Sequence, residues 1–134
     1  MKKILLSLLL LSSLSGCSSL TYGEKITLRQ LEANGITVEH SSRYYDKPAS
    51  PFAAGALNLL PGFGNFYLAS GNGAESDHWL YGFLNLLFWP YSVVWGIPEA
   101  AIDANNINKR ELIYYYQYDP RGKKELETKG ITLE

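Results

Sequence analysis

The sequence predicts a mainly α fold: an apolar helical hairpin with Pro/Gly breaks, plus a small α+β subdomain built from both polar flanks. Three observations carry this expectation. Residues 51–70 and 79–98 contain no charged side chain, and each stretch is about twenty residues long. The segments on either side are polar. Finally, Leu126-Glu127-Thr128-Lys129-Gly130-Ile131-Thr132-Leu133-Glu134 echoes Leu31-Glu32-Ala33-Asn34-Gly35-Ile36-Thr37-Val38-Glu39, with six of nine positions identical.

The chain opens with Lys2 and Lys3, continues through an uncharged run over residues 4–14, and reaches Leu14-Ser15-Gly16-Cys17. An eleven-residue apolar run is too short to cross a hydrocarbon core of about 30 Å, so it reads as the removable core of a secretory signal. The order of basic start, apolar run, small residues and cysteine resembles the signal peptide of bacterial lipoproteins, which ends in a lipobox. That resemblance implies removal of residues 1–16, diacylglycerol on the Cys17 sulfur, and acylation, typically with palmitate, of the new amine. One acyl chain binds a membrane marginally, whereas two or three hold firmly. In that family an aspartate after the cysteine favours retention in the inner membrane. Ser18 stands there instead, which favours the outer membrane over the inner one on the periplasmic face of the cell envelope.

Cys17 is the only cysteine, so its modification leaves no thiol for a disulfide, a nucleophile or a thiolate metal site. Loss of residues 1–16 lowers the basic count from 12 to 10 against 13 acidic residues, a net charge of about −3. That balance gives no reason to expect a nucleic-acid partner. The chain divides into the signal (1–16), a polar N-terminal flank (17–50), the apolar hairpin (51–108) and a polar C-terminal flank (109–134).

In the N-terminal flank, Thr27-Leu28-Arg29-Gln30 has the form of a capping box opening a short helix through Asn34, with Gly35 as its stop. Residues 36–39 have the β-branched character of a short strand. The C-terminal copy repeats helix, glycine and strand, with Asp119 and Pro120 as N-cap and first helical residue. The two strands are expected to pair on one side of the hairpin, with residues 112–118 as a third strand because of their β propensity.

The apolar segments are interrupted by Pro61-Gly62-Phe63-Gly64 and by Pro90, and such breaks are tolerated at membrane depth only where neighbours satisfy the freed backbone groups. Two full crossings would leave an acidic loop over residues 71–78 on the cytoplasmic face, against the positive-inside rule. A hairpin entering one leaflet partway suits the breaks and the dispersed tyrosines better. Leu60-Pro61-Gly62-Phe63-Gly64-Asn65-Phe66-Tyr67-Leu68, followed by a second apolar segment and Ala101-Ile102-Asp103, resembles the TM2-type two-helix membrane proteins over residues 51–108. Asn65, Ala69 and Pro90 depart from that family's pattern. The resemblance implies a membrane hairpin, packed closely through Gly62, Gly64 and Tyr67, rather than a reaction.

Glu99 and Asp103 lie four residues apart on a helix expected to start at Pro98, which places both carboxylates on one face for contact with a cation or a partner's arginine. Residues 103–108 lack the glycine and the closing glutamate of a calcium loop. His40 and His78 have neither a cysteine nor a His-x-x-x-His spacing to make a metal site, and Gly71-Asn72-Gly73 lacks the lysine of a phosphate-binding loop. No nucleophile and base stand in a recognisable spacing. The expectation is therefore a membrane-anchored envelope lipoprotein with a structural or interaction role, not an enzyme, with membrane lipid and an envelope protein as partners. It carries no metal and no cofactor beyond the covalent lipid. The alternative is a periplasmic-face carrier or sensor of a hydrophobic ligand enclosed by the two apolar segments.

Overall fold

The computed structural model describes residues 19–71 and 77–133, and over these the chain is mainly α, with six helices and no strand. They are α1 Tyr22–Ala33, α2 Pro51–Leu57, α3 Phe63–Ser70, α4 Asp77–Leu87, α5 Ser92–Tyr118 and α6 Pro120–Lys129. The 27-residue α5 is the spine, about 40 Å long at 1.5 Å per residue. Its N-terminal half packs against α2, α3 and α4, its C-terminal half against α1 and α6. The signal segment and Cys17 lie outside the described residues.

The polar end has an ordinary core. Leu28, Leu31, Ile36, Leu112, Ile113, Tyr116 and Leu126 are buried together, and charged residues of α1 and α6 face outward. The capping box of α1 is made by Thr21 and Glu24, whose side chains each bond the other's backbone N–H at 3.3 and 2.6 Å. The helix therefore begins earlier than the Thr27 signal predicts. Thr27 is instead buried within it, its hydroxyl donating to the Gly23 carbonyl at 3.2 Å. Asp119 caps α6 by accepting from Arg121 N–H at 2.7 Å, with Pro120 in the first turn.

The expected α+β subdomain is corrected, because none of its strands forms among the described residues. Residues 112–118 continue α5: Leu112, Ile113, Tyr115 and Tyr116 turn inward while Tyr114 and Tyr118 stay exposed, a helical arrangement in which burial overrides β propensity. Thr37 and His40 exchange backbone hydrogen bonds at 3.1 and 3.2 Å in a tight turn. The two copies nevertheless meet, since Ile36, Val38, Ile131 and Leu133 all pack on the same core.

The transmembrane expectation, and with it the TM2-like two-helix hairpin, is also corrected: among the described residues no helix is long and apolar enough to cross a membrane. The first apolar segment splits into α2, of seven residues, and α3, of eight, roughly 10–12 Å each against a core of about 30 Å. The break lies at residues 58–62, where Gly62 takes φ +84°, a left-handed conformation natural to glycine. The second splits between α4 and α5 around Pro90. Pro98, expected to open a helix, lies within α5. Its nitrogen withholds one backbone hydrogen bond inside that helix.

Candidate functional site

The end of the molecule formed by α2, α3, α4 and the first half of α5 is turned inside out. In α4, His78, Gly82 and Asn85 are buried at i, i+4 and i+7, while Trp79, Leu80, Phe83, Leu86 and Leu87 are exposed. In α5, Ser92, Gly96, Ala100 and Asp103 point inward, and Val94 is 82% exposed. Around α2, Ala54, Gly55 and Asn58 are buried while Phe52, Leu57, Leu59 and Leu60 are exposed. Leu68 apart, small and polar residues thus make the interior of this end, and large apolar residues make its surface. A water-facing helix normally does the reverse.

Close packing of small residues makes this interior. A Cβ on Gly62 would collide with the Gly82 carbonyl, and one on Gly64 with the Ala54 carbonyl, so Gly62 and Gly64 seat the α2–α3 turn against α4 and α2. Tyr67 packs against the buried cluster that includes Ala54, Leu68 and Ala100, and its hydroxyl accepts from Ser50 N–H at 3.1 Å.

Asparagines and Ser92 tie the chain together around the helix breaks. Asn58 accepts from Gly64 N–H at 3.0 Å and donates to the Gly96 carbonyl and to Asn65 Oδ1, joining α2, α3 and α5. Asn85 accepts from Trp95 Nε1 at 3.1 Å, and its carbonyl accepts from Ser92 Oγ at 2.5 Å, closing the α4–α5 turn. Asn108 clamps the chain entering α2, donating to the Ala49 carbonyl at 2.7 Å and accepting from Ala49 N–H at 3.0 Å. Reasoning from motifs passed over these residues. Their signal was present nonetheless, since Asn58, Asn65 and Asn85 are isolated polar residues inside charge-free segments.

Glu99 and Asp103 do not form one solvated face: Asp103 is 1% exposed and Glu99 half-buried, and both are engaged within the fold. His78 is 2% exposed, and neither ring nitrogen has a hydrogen-bond partner among the described residues. Burial holds this imidazole below its ordinary value, against the opposing fields of Asp103, Glu99 and Asp77, so the ring is neutral at neutral pH. His40 lies in the other end of the molecule, exposed beside Thr37. Among the described residues no three His, Cys, Asp or Glu side chains converge as a metal site.

What the arrangement offers is a surface. Phe63, Phe66, Trp79 and Phe83 form a connected aromatic cluster with ring centroids 5.3 to 6.0 Å apart. Comparison with protein-family models, with curated proteins and with solved structures found no match.

Proposed function

We infer that this chain is a lipid-anchored protein of the bacterial envelope, acylated on Cys17 and held on the periplasmic face of a membrane. It works there as a structural or interaction component rather than as a catalyst. One observation carries the reading. The fold begins at once after the acylation position: Leu20 is buried in the polar-end core, and the Ser19 carbonyl accepts from Arg110 Nη2 at 3.5 Å. Two residues span at most about 7 Å, so a lipid on Cys17 holds the body flush against the bilayer, presenting the charged faces of α1 and α6 to a partner. Ser18 favours the outer membrane as the destination. The apolar segments turn their large side chains outward rather than around a pocket, which favours this role over a hydrophobic-ligand carrier.

Membrane fractionation of cells labelled with palmitate tests the reading. The protein is expected in the outer-membrane fraction with label on Cys17, and Cys17→Ala is expected to abolish the label and the processing. Unprocessed, unlabelled protein would refute the anchor. Recovery only as a free monomer after crosslinking, with no reproducible envelope partner, would refute the interaction role.

A further inference from the structure

We propose that the inside-out end seats obliquely in the outer part of a single lipid leaflet, as a monotopic insert beside the acyl chains on Cys17. The proposal rests on the lipoprotein reading for the choice of membrane, but it concerns a separate surface.

The topology gives this end one direction. The chain enters α2 beside Asn108, descends so that Gly55 lies by Ile97 and Asn58 by Gly96, turns, and returns through α3 to bring Gly71 near Pro48. α4 and the start of α5 form a second hairpin whose tip lies between Leu87 and Ser92. Both hairpins point away from the polar end. Phe52, Leu60, Phe83, Leu87, Trp89 and Val94, drawn from both, are exposed. Exposed apolar surface on this scale marks an interaction site rather than an ordinary monomer surface.

Lipid is the occupant that the interior chemistry fits. Helices in lipid gain nothing by burying large apolar side chains, so they pack through small residues and turn polar ones inward. Gly62, Gly64, Gly82, Gly96 and the buried asparagines follow that rule, and at the breaks the Asn58 amide accepts from Gly64 N–H and the Ser92 hydroxyl donates to the Asn85 carbonyl, two backbone groups that lipid would leave unpaired. The charge pattern agrees. No lysine or arginine occurs between Lys47 and Lys109; Asp77 and Asp103 stand about 15 Å and 17 Å along their helices from the Leu87–Ser92 tip at 1.5 Å per residue, and Glu99, about 10 Å from Ser92, is half-buried and engaged within the fold.

The dimensions select one leaflet. Half a hydrocarbon core is about 15 Å, comparable with the length of α5 from Ser92 to Asp103. Trp89 and Tyr91 at the tip favour the boundary region over the mid-plane, which sets an oblique, shallow seat. The anchor falls at a matching level: Arg110, which holds Ser19, lies about 10 Å along α5 beyond Asp103. Lys109, the first cation after Lys47, stands there for lipid phosphates.

The test uses the mature chain (17–134) carrying Cys17→Ala, without lipid, mixed with phosphatidylethanolamine and phosphatidylglycerol vesicles. The chain is expected to float with the vesicles. All three tryptophans, Trp79, Trp89 and Trp95, lie in the proposed insert, so their fluorescence should be quenched strongly by lipids brominated near the headgroup and weakly by lipids brominated near the chain ends. Leu87→Asp and Val94→Asp should each reduce the bound fraction on the order of tenfold. Tyr114→Asp, exposed at the polar end, should leave it unchanged. A chain that stays unbound overturns the proposal. So does a discrete dimer whose tryptophans are shielded from bromine, because a second copy would then cover the face. Absence of lipid on Cys17 in cells would sink the anchor reading alone, since the vesicle experiment uses an unlipidated chain.

Discussion

Asn58 ties three helices with one amide, and its cost of removal follows from what it leaves behind. Asn58→Leu fills similar volume but strands the Gly64 N–H and the Gly96 carbonyl in a buried site. Each unpaired buried group costs about 1–3 kcal/mol, so an equilibrium unfolding measurement should show a loss of roughly 2–5 kcal/mol. A loss within error of zero would mean that water or a shifted neighbour replaces the amide. A second residue-scale prediction concerns acid. Burial opposes ionisation of Glu24, yet the Thr21 amide and hydroxyl and the Arg110 guanidinium outweigh it, leaving the carboxyl below its ordinary 4.5. Such a group stabilises the fold above pH 4.5, and the contribution disappears as pH falls through the lowered folded value. His78, lowered from 6.5 by burial, acts earlier: below pH 6.5 the unfolded ring takes up a proton that the folded ring refuses, so stability falls from that point downward. Unfolding midpoints followed with pH should decline in two stages. His78→Gln should remove the first stage and Glu24→Gln should shrink the second, to which the lowered carboxyls of Glu39 and Glu125 also contribute.

At the scale of the element, the nine-residue repeat proves to be one device used twice. In each copy the glycine takes positive φ, +76° at Gly35 and +67° at Gly130. Its N–H bonds the carbonyl of Glu32 or Glu127, and the following isoleucine N–H bonds Leu31 or Leu126 at 2.9 Å. This is the Schellman helix stop, in which the leucine and isoleucine also touch across the turn. The repeat was legible in the sequence, as were the glycine stops and the Asp119-Pro120 start, because each is decided by neighbours in the chain. That the expected strands do not form was not legible, because Ile36, Ile131 and residues 112–118 owe their conformation to a shared core assembled from both ends of the chain. Gly35→Ala and Gly130→Ala should each cost about 1–2 kcal/mol, since nothing lies near an added Cβ and the left-handed backbone alone resists it. Thermal unfolding should show two similar decrements. A large difference between them would mean that one stop carries tertiary strain the other lacks.

Across the whole molecule, the sequence displays apolar periodicity without its sign. α4 carries a broad stripe of Trp79, Phe83 and Leu87, and in water such a stripe is read as the buried face. Here it is the outer one, and His78, Gly82 and Asn85 are inside. Only the assembled packing shows which side faces inward. α5 then joins two opposite chemistries in one rigid rod, inverted over its first half and ordinary from Ile107 onward. Asn108, with Tyr45 donating to its carbonyl at 2.6 Å, binds the two halves at the junction. Because a helix interrupted at its middle loses bonds in both halves, the two ends should unfold as one cooperative unit. Leu112→Ala, a fully buried truncation at the polar end, should cost about 2–5 kcal/mol. That loss should also appear in tryptophan fluorescence, although every tryptophan lies at the other end. Denaturation in mild detergent, followed by tryptophan emission and by the near-ultraviolet dichroism of buried Tyr45, Tyr115 and Tyr116, should give coincident transitions that shift together in the variant. Separate transitions, with tryptophan unmoved by Leu112→Ala, would mean that α5 parts near Asn108 and that the apolar end folds on its own.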